Sequence, residues 1–128
     1  MRRLVVSMAV AAAAAFPGTV FAQSGDPAAG QRVFNQCRAC HTSEQGGRNG
    51  VGPNLWGIVG RPAASIEGYR YSANMRELAA AGHVWTEENL RAYIANPKAV
   101  VPRGSMSFAG LRNETQLNDL IAYLKTLK

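Results

Sequence analysis

The sequence lacks most of the features that mark nucleic-acid-binding and membrane-spanning proteins. Among its 128 residues, only two are cysteine and two are histidine. Lysine and arginine outnumber aspartate and glutamate by 14 to 8. They form no basic cluster with interleaved aromatic residues, however, so the sequence does not have the pattern of a nucleic-acid-binding protein. No apolar run reaches the roughly 20 residues of a membrane-spanning helix. Repeats and low-complexity tracts are also missing, so the sequence predicts one small domain with a modest core.

The N-terminal segment has the pattern of a cleaved export signal. An arginine pair, a short apolar run and a Pro-Gly pair follow one another before residue 19. Because the apolar run is too short for a transmembrane anchor, we predict a signal peptide at 1–22, cleaved after Ala22, and one domain at 23–128. The mature protein is then expected in the periplasm and not as a membrane-spanning chain. Two arginines leave with the signal peptide, so the net charge falls from +6 to +4.

Both cysteines belong to one five-residue motif, Cys37-Arg38-Ala39-Cys40-His41. This C-x-x-C-H spacing is the heme c attachment pattern. On a helix, positions three and four apart share a face, so two thiols and one imidazole can meet the same porphyrin. The thiols would form thioether bonds with its vinyl groups, and the histidine would ligate its iron. The predicted cofactor is therefore one covalently attached heme c.

Three other interpretations of the cysteines stay open at this point. A thioredoxin-type redox site would require a βαβ setting, and the sequence shows no strands. A zinc site would require a fourth ligand, and His83 is the only histidine outside the motif. An ordinary disulfide would make the adjacent His41 a coincidence.

Capping residues and apolar periodicity predict an all-α fold. The predicted helices cover four segments: Asp26 to about Arg38, 72–81, 86–95, and from 113–115 to near the C-terminus. The last of them carries one apolar stripe. The stretch 42–61 contains six glycines and predicts a long loop. A loop of that length is unusual in a small domain, and wrapping around a rigid ligand would explain it.

Met106 is the candidate for a second iron ligand. It lies in a loop between the last two predicted helices. A thioether paired with histidine raises the reduction potential of a heme and leaves no open position for oxygen. Met75 and His83 are the alternative ligands, and ordinary core packing is the alternative role of Met106.

Several motifs occur in the order in which they are found in class I cytochrome c, and residues 26–128 resemble the mitochondrial-like branch of the bacterial periplasmic cytochromes in that family. Besides the attachment motif, the shared segments are Gly52-Pro53-Asn54-Leu55, Trp85-Thr86-Glu87-Glu88, Asn96-Pro97-Lys98, Met106-Ser107-Phe108-Ala109-Gly110 and Leu120-Ile121-Ala122-Tyr123-Leu124-Lys125. The resemblance implies the small cytochrome c fold, with helices and glycine-rich loops around one covalently bound heme.

The resemblance also implies roles for individual residues. The Pro53 carbonyl would accept the ring N–H of His41, and Tyr93 would hydrogen-bond the sulfur of Met106. The inner heme propionate would be held by Arg61, Tyr71, Asn74 and Trp85. The first and last helices would cross at Gly30, Phe34, Leu120 and Tyr123. One departure is Gly104, which stands where the family usually has a threonine next to the heme.

By this resemblance the protein would be a monomeric one-electron carrier with no catalytic residues. Its donor would be a quinol–cytochrome c reductase or a periplasmic dehydrogenase, and its acceptor a terminal oxidase of the respiratory chain or a photosynthetic reaction centre. The alternatives are a dedicated heme subunit of a dehydrogenase and an open-site heme enzyme or gas sensor. The family docks through lysines, of which this chain has three. The expected docking ring is therefore mostly arginine: Arg38, Arg48, Lys98, Arg103 and Arg112.

Overall fold

The computed structural model describes residues 9–12 and 25–128, so the predicted cleavage site after Ala22 lies outside the described residues. The helices of the described part are α1 (Pro27–Phe34), α2 (Ala73–Ala80), α3 (Glu87–Ala95), α4 (Pro97–Val100) and α5 (Glu114–Lys125). Within the same part there is no strand, only an isolated bridge between Pro62 and Val84. The all-α prediction is confirmed. None of the helices in these ranges is long and apolar enough to cross a membrane.

Local sequence determines where the longer helices begin. The side chains of Asp26, Ser72, Thr86 and Asn113 each accept a backbone N–H of the first helical turn. Such a cap satisfies donors that a helix start leaves unpaired. The predicted starts of all four helices are therefore confirmed, and the short α4 was not predicted as a separate element.

The first helix ends earlier than predicted. It stops at Phe34 rather than near Arg38, and residues 35–40 continue as turns. The backbone bonds there connect residues three apart, as in the bond from Cys37 N–H to the Phe34 carbonyl at 2.7 Å. One helix-like bond remains, from His41 N–H to the Cys37 carbonyl at 3.0 Å. Cys37, Cys40 and His41 can therefore still face the same side, although they lie on a turn and not on a regular helix.

Helices α1 and α5 cross closely and form the main core. A Cβ added to Gly30 would lie 1.9 Å from the carbonyl oxygen of Asp119, so the crossing requires glycine. Beside it, the rings of Phe34 and Tyr123 have centroids 5.3 Å apart, and Leu120 is buried against them. The predicted crossing is confirmed. It places the attachment turn, residues 37–41, at one end of the core.

Candidate heme-binding site

A largely apolar cleft opens beside this core and encloses about 1330 Å³, open solvent at its mouth included. Its walls come mainly from the attachment turn, the loop of 51–72, α3, residues 104–108 and α5. The long glycine-rich loop predicted from the sequence forms one side of it. Elements that are distant in the chain thus meet around one space that is suited to a flat apolar ligand.

Cys37 and Cys40 both line the cleft, and they are not joined in a disulfide. Burial raises the pKa of the Cys37 thiol, and the neighbouring Cys40 raises it further. Both groups are half-buried at the cleft wall. Two free thiols three residues apart on one wall are the arrangement that thioether attachment requires.

His41 is held by the glycine-rich loop, whose Gly52 N–H bonds to the Cys40 carbonyl of the attachment turn at 2.8 Å. Its Nδ1 lies 2.7 Å from the carbonyl oxygen of Pro53. Because a carbonyl can only accept, Nδ1 carries the proton and Nε2 keeps its lone pair. Burial lowers the pKa of His41, the Pro53 hydrogen bond acts in the opposite direction, and the charge of Arg61 lowers it further. The neutral ring therefore has the tautomer of a metal ligand.

Gly52 is a site residue that the sequence did not assign. A Cβ at this position would come 2.3 Å from Cε1 of His41, so any side chain would displace the imidazole. In the sequence, Gly52 is noticeable only as a glycine directly before Pro53. The fold shows that the His41 ring packs on it. Gly52 thus allows the loop to approach the histidine closely.

Met106 also lines the cleft, and its sulfur has one polar neighbour. The Tyr93 hydroxyl donates to this sulfur over 3.8 Å. Burial raises the pKa of Tyr93 to about 12, with Tyr69 as a second cause, so the hydroxyl remains a donor well above neutral pH. The ring of Tyr93 packs on the buried Trp85 with centroids 4.9 Å apart. Helix α3 thereby positions the donor, and the core fixes its ring.

Three of the four side chains predicted to hold a propionate line the cleft: Arg61, Tyr71 and Trp85. The Arg61 guanidinium donates to two carbonyls of its own loop, at 3.1 Å each, and burial lowers its pKa. A guanidinium has five N–H donors, so others remain for a carboxylate in the cleft. The Tyr71 hydroxyl accepts the backbone N–H of Ile66 at 3.1 Å and can still donate. The set suits an anionic group.

Asn74, the fourth predicted partner, lies outside the cleft lining, and the next residue, Met75, takes that place. The side-chain oxygen of Asn74 instead accepts the backbone N–H of Arg103 at 2.9 Å. Neighbouring positions of a helix point in different directions, and in α2 position 75 is the one that faces the cleft. The propionate contact of Asn74 stays a prediction that this geometry does not favour.

The two alternative ligands differ in their surroundings. Met75 faces the cleft, whereas His83 does not line it. The His83 ring packs edge-on against Trp85 at 4.8 Å, and its buried Nε2 has no hydrogen-bond partner among the described residues. Of the two cleft methionines, Met106 is the one beside the Tyr93 hydroxyl.

Asn54 supports the loop behind Pro53 and was noted in the sequence only as part of a motif. It is 8% exposed, and its side-chain nitrogen donates to the Thr42 hydroxyl at 2.8 Å and the Glu44 carbonyl at 2.9 Å. Its side-chain oxygen accepts the backbone N–H of Trp56 at 3.1 Å. The carboxamide is therefore satisfied on both sides and fixes the peptide next to the carbonyl that holds His41.

The residues of the cleft fit a covalently attached heme. The walls are apolar, two free thiols lie on one turn, and a neutral imidazole and a thioether border the same space. Gly52 leaves no bulk between the loop and the imidazole. The donor set is soft sulfur with nitrogen, which suits heme iron.

Comparisons with known proteins agree with this site. Residues 27–128 match the family model described as Cytochrome c. The cytochrome c-550 of Ancylobacter novellus is 52% identical over 100 residues, which cover 78% of this chain and 94% of that protein. The cytochrome c2 of Rhodospirillum rubrum is 42% identical over 136 residues, and this match covers 100% of this chain and 100% of that protein. The solved structure of cytochrome c2 from Rhodospirillum centenum has a TM-score of 0.77 at 36% identity, covering 81% of this chain and 99% of that chain.

Proposed function

Because the chain belongs to the cytochrome c family, we propose that it carries one electron at a time between redox proteins, with heme c attached to Cys37 and Cys40 and ligated by His41 and Met106. The observation that carries this proposal is the convergence of these four side chains on one apolar cleft. Family membership makes the protein an electron carrier rather than an enzyme, and it excludes the thioredoxin-type, zinc and disulfide interpretations of the cysteines.

When bound, the heme supplies an iron that changes between Fe(II) and Fe(III) by one electron. The chain's own residues hold the geometry constant during that change. Pro53 keeps the imidazole of His41 in one tautomer and orientation, and Tyr93 orients the sulfur of Met106. Buried side chains such as Trp85 and Leu90 line the cleft and would keep water away from the bound heme. Arg61, Tyr71 and Trp85 would hold the inner propionate, since a buried carboxylate requires donors.

Electrons would pass through the open mouth of the cleft. Val51, which is 73% exposed, lies at this mouth and offers an apolar contact. The five predicted docking residues are exposed: Arg38, Arg48, Lys98, Arg103 and Arg112. This charge suits brief encounters with acidic partners. Such partners would be a quinol-oxidising complex or a periplasmic dehydrogenase as donor, and a terminal oxidase or reaction centre as acceptor.

We place this exchange in the periplasm, with the mature chain starting after Ala22 and acting as a monomer. The export pattern of the first 22 residues supports this placement. An intact mass of the purified protein would check it, since the expected value is that of residues 23–128 plus one heme. A mass that retains the N-terminal segment would contradict the cleavage site.

A spectrum tests the ligation by Met106. The oxidised protein should show the weak far-red band of methionine–iron(III) ligation, and the reduced protein should bind no carbon monoxide. Met106→Ala should abolish the band and open the iron to carbon monoxide. Met75→Leu is the matched control, because it removes the other cleft thioether and should keep the band.

The opposite result would identify a different ligand. If the band disappeared in Met75→Leu and survived in Met106→Ala, Met75 would be the second ligand. Carbon monoxide binding by the reduced unmodified protein would favour an open-site enzyme or gas sensor. Neither outcome would affect the attachment at Cys37 and Cys40, which an intact mass measures separately.

A further inference from the structure

Helix α2 makes two polar contacts with the segment that carries Met106. None of the eight described residues of α2 is fully buried. Its residue Asn74 accepts the backbone N–H of Arg103 at 2.9 Å, and its residue Glu77 pairs with the Arg103 guanidinium at 2.9 Å. Both contacts end on one residue, three positions before Met106. Residues 101–106 are called the methionine segment below.

The N-terminal end of the methionine segment has a separate anchor. Val101 is 1% exposed, and its carbonyl accepts the backbone N–H of Gly104 at 3.0 Å. The Lys98 ammonium donates to the Gly104 carbonyl at 3.1 Å. Within the segment, Arg103 is the residue whose described contacts reach α2, and the sulfur of Met106 accepts the Tyr93 hydroxyl of α3. The N-terminal end of the segment is thus fixed by Val101 and Lys98, and Arg103 ties the segment to α2.

We propose that Asn74, Glu77 and Arg103 form a latch that holds the methionine segment closed over the cleft. The latch residues are positioning residues, because they act on the site only through the backbone that carries Met106. Whether these contacts are made or broken determines how readily an external ligand takes the place of Met106. This inference rests on the ligation by Met106 proposed above.

The two contacts of the latch should contribute differently. The side chains of Arg103 and Glu77 are 71% and 59% exposed, so their ion pair is weak and screened by salt. The bond from the Arg103 amide to Asn74 is neutral and is less sensitive to salt. It also involves the backbone of the segment itself. Asn74 should therefore be the stronger member of the latch.

The affinity of the oxidised holoprotein for imidazole measures how firmly the latch holds the methionine segment closed. An added ligand that binds only the open segment has an apparent affinity proportional to the population of that state. Asn74→Ala should tighten imidazole binding about fivefold, the effect of one hydrogen bond. Glu77→Gln should tighten it about twofold at low salt, and this effect should vanish at high salt. The loss of the far-red band gives the binding curve.

Conservative variants separate a latch from general destabilisation. Asn74→Asp keeps an oxygen acceptor at the same position but puts a second negative charge 3.5 Å from the Glu77 carboxylate. At high salt, where that charge is screened, it should bind imidazole within a factor of about two of the unmodified protein. Glu114→Gln removes the same charge from the exposed first turn of α5 and should leave the affinity unchanged. Equal tightening in Glu114→Gln and Glu77→Gln would overturn the role of the ion pair.

Failure of the latch is distinguishable from failure of the ligation. If the unmodified protein shows the far-red band but Asn74→Ala and Asn74→Asp both bind imidazole like it, the latch proposal is wrong and Met106 remains the ligand. If the unmodified protein has no such band, the ligation is wrong and the latch falls with it.

Discussion

His41 and Met106 are each oriented by one hydrogen bond within the protein. The Pro53 carbonyl accepts the Nδ1 proton of His41, and the Tyr93 hydroxyl donates to the sulfur of Met106. The first bond selects the tautomer, because a carbonyl can only accept. The second bond persists well above neutral pH, because burial raises the pKa of Tyr93 to about 12. At the scale of residues, the cleft is therefore prepared for its iron by the surrounding protein.

Gly52 gives a prediction at this scale. Gly52→Ala would place a Cβ 2.3 Å from Cε1 of His41, so the ring would have to move and would strain its hydrogen bond to Pro53. We expect a loss of about 1–3 kcal/mol in the free energy of unfolding of the holoprotein, measured in guanidinium. Gly50→Ala is the control in the same loop, since its Cβ would meet its nearest neighbour at 3.3 Å. Equal losses in the two variants would contradict the role of Gly52.

At the scale of elements, helices meet where the absence of a side chain lets backbones approach. A Cβ on Gly30 would lie 1.9 Å from the Asp119 carbonyl oxygen, and a Cβ on Gly25 would lie 2.1 Å from that of Asn118. The backbone N–H of Asp26 also donates to the Asp119 carboxylate at 2.8 Å. The start of α1 is therefore fixed on α5, and this docking places the attachment turn at the cleft.

Gly30→Ala tests the crossing. Alanine favours the helix over glycine by about 1 kcal/mol, so propensity alone predicts a more stable protein. The clash with the Asp119 backbone acts in the opposite direction and is larger, since backbone atoms cannot rotate away. We expect a net loss of about 2 kcal/mol in the free energy of unfolding. Gln31→Ala, an exposed neighbour in α1, should change it little, and a gain in Gly30→Ala would contradict the close crossing.

At the scale of the whole molecule, we expect a partner to meet the cleft mouth and the exposed cations of the proposed docking ring. The docking ring defined above is exposed, but Arg103 already pairs with Glu77, and the Arg38 guanidinium lies 5.2 Å from the centre of the Phe34 ring. Arg48 and Arg112 are exposed as well. Long-range attraction of an anion depends on the summed field and less on individual contacts, so paired members still contribute.

The rate at which small redox ions react with the protein, measured at different salt concentrations, reports this field without a protein partner. Oxidation of the reduced protein by ferricyanide should slow several-fold between low and high salt, because added ions screen the attraction. A cationic cobalt complex should show the reverse dependence. Arg48→Gln with Arg112→Gln should weaken both dependences more than Arg32→Gln with Arg76→Gln, two exposed arginines outside the ring. Equal effects of the two pairs would contradict a ring at the cleft mouth.

The sequence by itself determined what depends on neighbours along the chain. The spacing of Cys37, Cys40 and His41 identified the cofactor, because covalent attachment imposes a fixed local geometry. Caps such as Asp26 and Thr86 marked helix starts, because a cap bonds within its own first turn. The order of motifs identified the family and, through it, electron carriage.

Only the tertiary structure decided the contacts between segments far apart in the chain. It placed Met75 rather than Asn74 in the cleft, since a shift of one residue on α2 changes which side chain points inward. It joined Asn74 to Arg103, 29 residues away, and packed Gly52 against the ring of His41. These contacts arise from packing around a shared space, and no local pattern in the sequence encodes the distance between two segments.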